Sequence, residues 1–202
     1  MRFYGSFFLL RLVYPKALFR IRTTDKVLCL TFDDGPDPGS TPLILDILEA
    51  RGVKAVFFCR GKLAERYPGL ISLIKSRGHV VGNHGYNHLD GLKTIASVYL
   101  RDFSLSAEFT SHDLLRPPYG RIGPVQYREL AETGRIVFWD LMPYDFDYKM
   151  TGTEVLRILR KRIRPGSIIV LHDNANSMAN SVIKDFIEFA IHGGYRFTIY
   201  SD

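Results

Sequence analysis

From residue 26 onward, short apolar runs alternate with longer stretches whose apolar positions recur at helical spacing. Runs at 26–32 (KVLCLTF), 53–59, 79–83, 113–116, 135–141, 167–171 and 195–200 predict seven strands. Helices are predicted near 41–51, 68–77, 92–110, 123–133, 153–163 and 179–192. Gly52, Gly78, Gly134 and Gly194 each come just after a predicted helix, where a left-handed cap can end it before the chain turns into the next strand. Because the strands are apolar on successive residues, both faces are expected to be covered, as in a parallel sheet with crossover helices. The fold class is α/β, as a barrel or an open doubly wound sheet. In either one, chemistry gathers beyond the carboxyl ends of the strands.

Composition narrows this to one soluble globular domain. The 202 residues are 46% hydrophobic and 24% charged, and a chain of this size buries roughly 70% of its unfolded surface without needing disulfides or a structural metal. Disorder as the main state is excluded. Lys and Arg outnumber Asp and Glu by 27 to 21, a net +6 that favours acidic surroundings without choosing among glycan, membrane and nucleic acid. One basic cluster, Arg157, Arg160, Lys161, Arg162 and Arg164, falls where a predicted helix ends and cations are welcome. With no basic stripe or RNP-like motif, nucleic-acid binding is not expected. Cys29 and Cys59 lie inside apolar runs and read as small core hydrophobes rather than a disulfide or ligand pair.

The apolar stretch at 7–14 (FFLLRLVY) is interrupted by Arg11 and followed by Pro15, too short for a membrane span and poor as a signal core. No export signal is legible, which makes the cytoplasm the default expectation, with a monomer and no integral membrane segment. Residues 1–25 read as an extension that packs on a domain spanning 26–202. The alternative is a surface-seeking amphipathic anchor with weak membrane association, since Arg2, Arg11, Lys16, Arg20 and Arg22 lie among Phe, Leu and Tyr.

Residues just past the strand ends carry the chemistry: TFDDGPDP at 31–38, GNHGYNH at 82–88, RPPYG at 116–120, FWDLMPYDFD at 138–147 and LHDN at 171–174. Five of seven strands thus end in carboxylates, imidazoles or an arginine, which predicts one functional rim. Asp33 and Asp34 come after an apolar strand, and adjacent side chains leave an extended backbone in opposite directions, so the pair is expected to hold two different jobs. Asp-Gly-Pro is also ordinary turn chemistry. His84 and His88 are spaced to present two imidazoles on one face of a helical turn or bent loop, and with a neighbouring carboxylate they make a His₂Asp set that leaves a position for water. A divalent ion there would polarise a carbonyl and bring the pKa of bound water to about 7. Hydrolysis of an amide also needs a base, for which Asp33 is placed, and an acid, for which His172 is placed. Arg116 precedes Pro117 and Pro118, which stiffen an extended loop, and its fork suits a carboxylate such as Asp33 or a generic surface partner. His79, His112 and His192 sit away from this rim.

In this order and spacing the five motifs resemble the polysaccharide deacetylase family, carbohydrate esterase family four, over nearly the whole chain from about residue 26. The resemblance implies a distorted, TIM-like (β/α)7 barrel with a NodB homology domain. It further implies one divalent ion, Zn²⁺ first, with Co²⁺, Ni²⁺ or Mn²⁺ as options. The implied reaction removes N-acetyl, or less often O-acetyl, groups from a glycan containing N-acetylglucosamine, such as peptidoglycan or chitooligosaccharide. On this reading Asp33 is the catalytic base and Asp34, His84 and His88 bind the metal. Arg116 holds the base, the amide of Tyr119 donates to the oxyanion, and Asp145 tunes His172, the general acid. Leu171 lines the acetyl pocket, and Phe146 and Trp139 bind substrate.

Three positions depart from the family pattern: Gly85 where Ser or Thr usually comes after the first ligand histidine, Phe146 where Trp is usual, and Met142 where an acid is often found. Alternatives from other classes are a metal-dependent amidase for a small non-sugar substrate and a non-catalytic glycan-binding module. The second would use the flat faces of Tyr86, Tyr119, Tyr144 and Tyr148.

Overall fold

The structure, a computed structural model, describes residues 8–199. Its elements run α1 (Phe8–Val13), β1 (Val27–Asp33), α2 (Thr41–Glu49), β2 (Val56–Cys59), α3 (Gly61–Arg66), α4 (Pro68–Ser76), β3 (Val80–Asn83) and α5 (Ala96–Ala107). The second half adds β4 (Leu114–Leu115), a 3-10 turn (Pro118–Gly120), α6 (Pro124–Thr133), β5 (Arg135–Ile136), α7 (Gly152–Arg162), β6 (Ser167–His172), α8 (Ala179–His192) and β7 (Arg196–Phe197). Every predicted strand and helix is present within these bounds, although Tyr200, at the end of the seventh predicted strand, lies outside the described residues. The six-residue helices α1 and α3 are too short for helical periodicity to reveal. At α7 the chain supplies a reciprocal cap: Thr151 Oγ1 accepts from the Glu154 amide, and the Glu154 carboxylate accepts from the Thr151 amide.

All strand pairings are parallel, in the order β5-β4-β3-β2-β1-β6. β6 runs along the whole of β1, so β7, which pairs with Val27 and Leu28, must share the opposite edge with β2, which pairs with 31–33. The predicted run at 135–141 does not stay in one strand. It leaves the ladder after Ile136, Val137 bridges to Leu18, and Leu141 bridges to Ile169 of β6. That last bridge, with the Val170 amide donating to the Leu141 carbonyl at 3.0 Å, closes the ring and decides for a distorted (β/α)7 barrel over an open sheet.

The segment before residue 26 does more than pack on the outside. Leu18 exchanges backbone bonds with Ile136 and Phe138, Arg20 bridges to Ser167, and the Ile21 amide donates to Gly166. Residues 18–21 therefore fill the wall between β5 and the start of β6. Phe19 of this segment and Tyr14 ahead of it are buried in a cluster with Tyr127, Leu130 and Phe138.

Alternation along the strands sorts inside from outside. Leu28, Leu30 and Phe32 join the large cluster beneath the helices, while Cys29 meets Val56, Phe58, Val137 and Ile168 inside the barrel. Both cysteines are buried. Gly52, Gly78 and Gly194 take the left-handed conformation predicted for them, but Gly134 is extended (φ −167°). The reason is space: a Cβ at 134 would lie 2.6 Å from the His112 carbonyl oxygen, so this position requires close backbone approach rather than a positive φ.

Candidate active site

Continuing the inside set of β1 past Cys29 gives Thr31 and Asp33, and both meet Arg116 from the end of β4. Arg116 is wholly buried, and its fork is used on four acceptors: Nη1 donates to Asp33 Oδ1 (2.6 Å) and Thr31 Oγ1 (2.7 Å), Nε to the Val137 carbonyl, and Nη2 to the Phe138 carbonyl. Its guanidinium stacks over Phe58 at 4.0 Å. The arginine thus ties three strand ends together inside the barrel, in place of the extended-loop surface pair that its motif alone allows. After Pro117 the loop tightens into the 3-10 turn, where Tyr119 takes φ 60° and lays its ring against His88 at 4.6 Å.

Asp34 departs from the expected divergence of adjacent side chains. Its φ of 76° lies in the left-handed region, which turns the side chain back so that both carboxylates face one cavity. His84 and His88 lie in a bent loop after β3, ring centroids 4.9 Å apart. The His84 Nδ1 is 2.8 Å from the Arg116 carbonyl, which can only accept, so Nδ1 carries the hydrogen and Nε2 presents its lone pair. Burial drives the His84 pKa down to about 4, keeping the ring neutral. For Asp34, burial pushes upward, but contact with His88 and the charge of His84 and His172 outweigh it and hold the carboxyl below the ordinary range.

Asp34 Oδ1 lies 3.0 Å from His88 Nε2 and 3.9 Å from His84 Nε2, and it is buried with no hydrogen-bond donor satisfying it. Ligands of a tetrahedral ion with bonds near 2.1 Å stand about 3.4 Å apart, so these distances straddle the requirement. A carboxylate oxygen with no donor and a neutral imidazole offering a lone pair are the donor set a divalent cation takes. Among the described residues this trio is the one group of His, Cys, Asp or Glu side chains so arranged.

Across the cavity, His172 Nδ1 is 2.9 Å from Asp145 Oδ1, and its backbone amide donates to Asp145 Oδ2 at 2.7 Å. Ser177 Oγ also donates to Oδ2, at 2.6 Å. Burial alone would lower the His172 pKa; the charge of Asp145 and the bond to it prevail, with Asp33 and Asp34 adding, and hold it up to about 9.

These groups open onto a cavity of about 720 Å³, walled by Tyr119, Trp139, Met142, Tyr144 and Phe146, with Lys93, Arg121 and Asp90 at its edge. Phe146 meets the His172 ring edge-on at 4.5 Å. Leu171 does not line this cavity. With His172 facing inward, period-two alternation puts Leu171 on the outer face, fully buried in the cluster beneath the helices. Tyr86 and Tyr148 also lie outside the cavity wall, as do His79, His112 and His192.

Several contributors were illegible in the sequence. Asp102 on α5 is buried and accepts from the amides of Tyr86 (2.7 Å) and Asn87 (3.1 Å), and Asn83 Oδ1 accepts from the Gly85 amide. The histidine loop is therefore gripped from beneath where the family usually places a hydroxyl. Gly85 has φ 72°, and a Cβ there would stand 3.0 Å from Asp102 Oδ2, so the glycine makes room for the carboxylate. Asp173 is the other: its backbone amide donates to the Asp33 carbonyl, its side chain accepts from Thr41 Oγ1 (2.5 Å), and burial raises its pKa to about 7. No local motif signals Asp102, and although Asp173 stands within LHDN, its partners Asp33 and Thr41 are distant in sequence, so its role could not be read there.

Comparison with known proteins agrees with the geometry. Residues 20–135 match the family model described as polysaccharide deacetylase. A peptidoglycan-N-acetylglucosamine deacetylase of Bacillus cereus is 30% identical over 193 residues, 91% of each chain. A chitooligosaccharide deacetylase of Sinorhizobium fredii is 33% identical over 85% of this chain and 84% of its own. Among solved structures, the Bc1960 peptidoglycan N-acetylglucosamine deacetylase superposes with a TM-score of 0.89 at 28% identity, covering 96% of this chain and 94% of that one.

Proposed function

This chain belongs to the polysaccharide deacetylase family, and from that membership we propose that it hydrolyses acetyl groups, N-acetyl before O-acetyl, on a glycan containing N-acetylglucosamine. One observation carries the reading: the metal-binding trio, a carboxylate held by Arg116 and a histidine held by Asp145 all face the same 720 Å³ cavity. Asp34, His84 and His88 would hold one divalent ion, with Zn²⁺ the first expectation. When bound, such an ion supplies Lewis-acid polarisation of the acetyl carbonyl and an acidified water.

The protein's own groups divide the proton work. Asp33 Oδ1 is committed to Arg116, which leaves Oδ2, 3.8 Å from His84 Nε2, to accept the proton of the attacking water. The new C–O bond converts the acetyl carbonyl to a tetrahedral oxyanion, to which the amide of Tyr119 donates. His172, protonated at neutral pH, has its Nδ1–H committed to Asp145 and gives its Nε2 proton to the departing nitrogen. The C–N bond breaks, and acetate and the glycan amine leave. Trp139, Tyr144 and Phe146 offer flat apolar faces to a sugar ring along the way in.

The test is acetate release from chitooligosaccharides, peptidoglycan fragments and small N-acetyl amides, with and without chelator. Release from the glycans that stops with chelator and returns with divalent metal supports the reading. Release confined to the small amides, or indifferent to chelator, contradicts it.

A further inference from the structure

The net charge of this protein is a local property. Arg2, Arg11, Lys16, Arg20 and Arg22 fall in the first 24 residues, which contain no Asp or Glu, leaving 22 basic against 21 acidic residues for all the rest. Within the described part of that segment, Arg11, Arg20 and Arg22 border a cavity of about 110 Å³ based on Tyr14 and Phe19, with no carboxylate in its lining. Next to Arg11 in the chain, Leu12 and Val13 are 68% and 55% exposed, while Leu10 on the same helix and Tyr14 just past its end pack inward toward α6. Lys16 is the exception, paired with Glu132. Because residues 18–21 are bonded into the barrel wall, this surface is fixed to the catalytic body.

Two features then need one partner. Three guanidiniums around a small concavity seek anionic oxygens, and two adjacent aliphatic side chains seek removal from water. Nucleic acid would satisfy the cations and leave Leu12 and Val13 in water. A bilayer interface satisfies both, with headgroup phosphates at the arginines and the aliphatic side chains at the acyl boundary. We propose that the surface formed by Arg11, Leu12, Val13, Arg20 and Arg22 docks the protein on an anionic lipid bilayer. The proposal stands independently of the deacetylase reading.

Flotation of the full chain with vesicles of phosphatidylcholine, with and without phosphatidylglycerol, tests it. Binding is expected only with the anionic lipid and should weaken as salt rises. Arg11→Gln/Arg20→Gln/Arg22→Gln should lower partitioning roughly fivefold per arginine, on the order of a hundredfold together. Leu12→Ser/Val13→Ser should weaken binding even at low salt, where charge pairing is strongest. Thermal melts by circular dichroism show whether each variant is folded. Equal binding to neutral vesicles, no binding at low salt, a folded triple variant that binds as well as the parent, or a tighter hold on duplex DNA than on the anionic vesicles would each overturn the proposal.

Discussion

Asp145 holds His172 at two points, one carboxylate oxygen on the ring Nδ1 at 2.9 Å and the other on the backbone amide at 2.7 Å. The grip orients the imidazole and, against the effect of burial, keeps it protonated to about pH 9. Deacetylation is therefore expected to fall as pH rises through about 9, when His172 loses the proton it must give. In Asp145→Asn that alkaline limb should move well toward neutral pH. A pH profile of kcat for both proteins measures this.

The same shift is a statement about stability. The folded pKa of His172 lies above the ordinary 6.5, so its contribution is complete below pH 6.5 and is lost as pH rises through about 9. The melting temperature of the parent should decline across that interval. Asp145→Asn should lack this component, which thermal melts at pH 6 and 9.5 would reveal.

Asp33→Asn retains an oxygen for Arg116 but cannot take a proton from water. Turnover should fall by about 10² to 10⁴ while bound metal remains stoichiometric. Acetate release and elemental analysis on one preparation check both halves. Loss of metal together with activity would move Asp33 from base to ligand.

Arg116→Met leaves Asp33 buried beside an apolar side chain. Breaking such a buried pair costs about 3–5 kcal/mol. For a protein of this size that corresponds to a fall in Tm of roughly 6–20 °C. Calorimetry on the folded variant measures it.

Asp102→Ala removes the acceptor for two amides of the histidine loop and should weaken metal binding by about 10- to 100-fold, with little change at the ligands themselves. Gly85→Ser, which restores the hydroxyl usual in the family, should weaken binding here too, because the position has φ 72° and the space is taken by Asp102. Competition with a chromogenic chelator measures both affinities. Tighter binding in Gly85→Ser would contradict the account of this loop.

The sequence revealed most where the physics is local. Apolar runs and glycine-marked helix ends located the seven strands, and residues just past them located the rim. Features that depend on neighbours distant in sequence stayed hidden: the exit of 137–141 from its strand toward Leu18 and Ile169, the support of the histidine loop by Asp102, and the insertion of 18–21 into the barrel wall. Asp34 and Leu171 show how one local rule can cut both ways. Strict alternation misplaces Asp34, whose left-handed backbone breaks it, and correctly applied it sends Leu171 away from the cavity that His172 faces.

On the proposed reading, Asp34, His84 and His88 together hold one divalent ion that acetate release requires. Titration of Zn²⁺ into chelator-stripped protein, with acetate release from a chitooligosaccharide monitored in the same samples, tests it most directly. One equivalent is expected to bind, with activity rising in step and both lost in His84→Ala and in His88→Ala. Full activity in the stripped protein, or undiminished binding and turnover in those two variants, would contradict it.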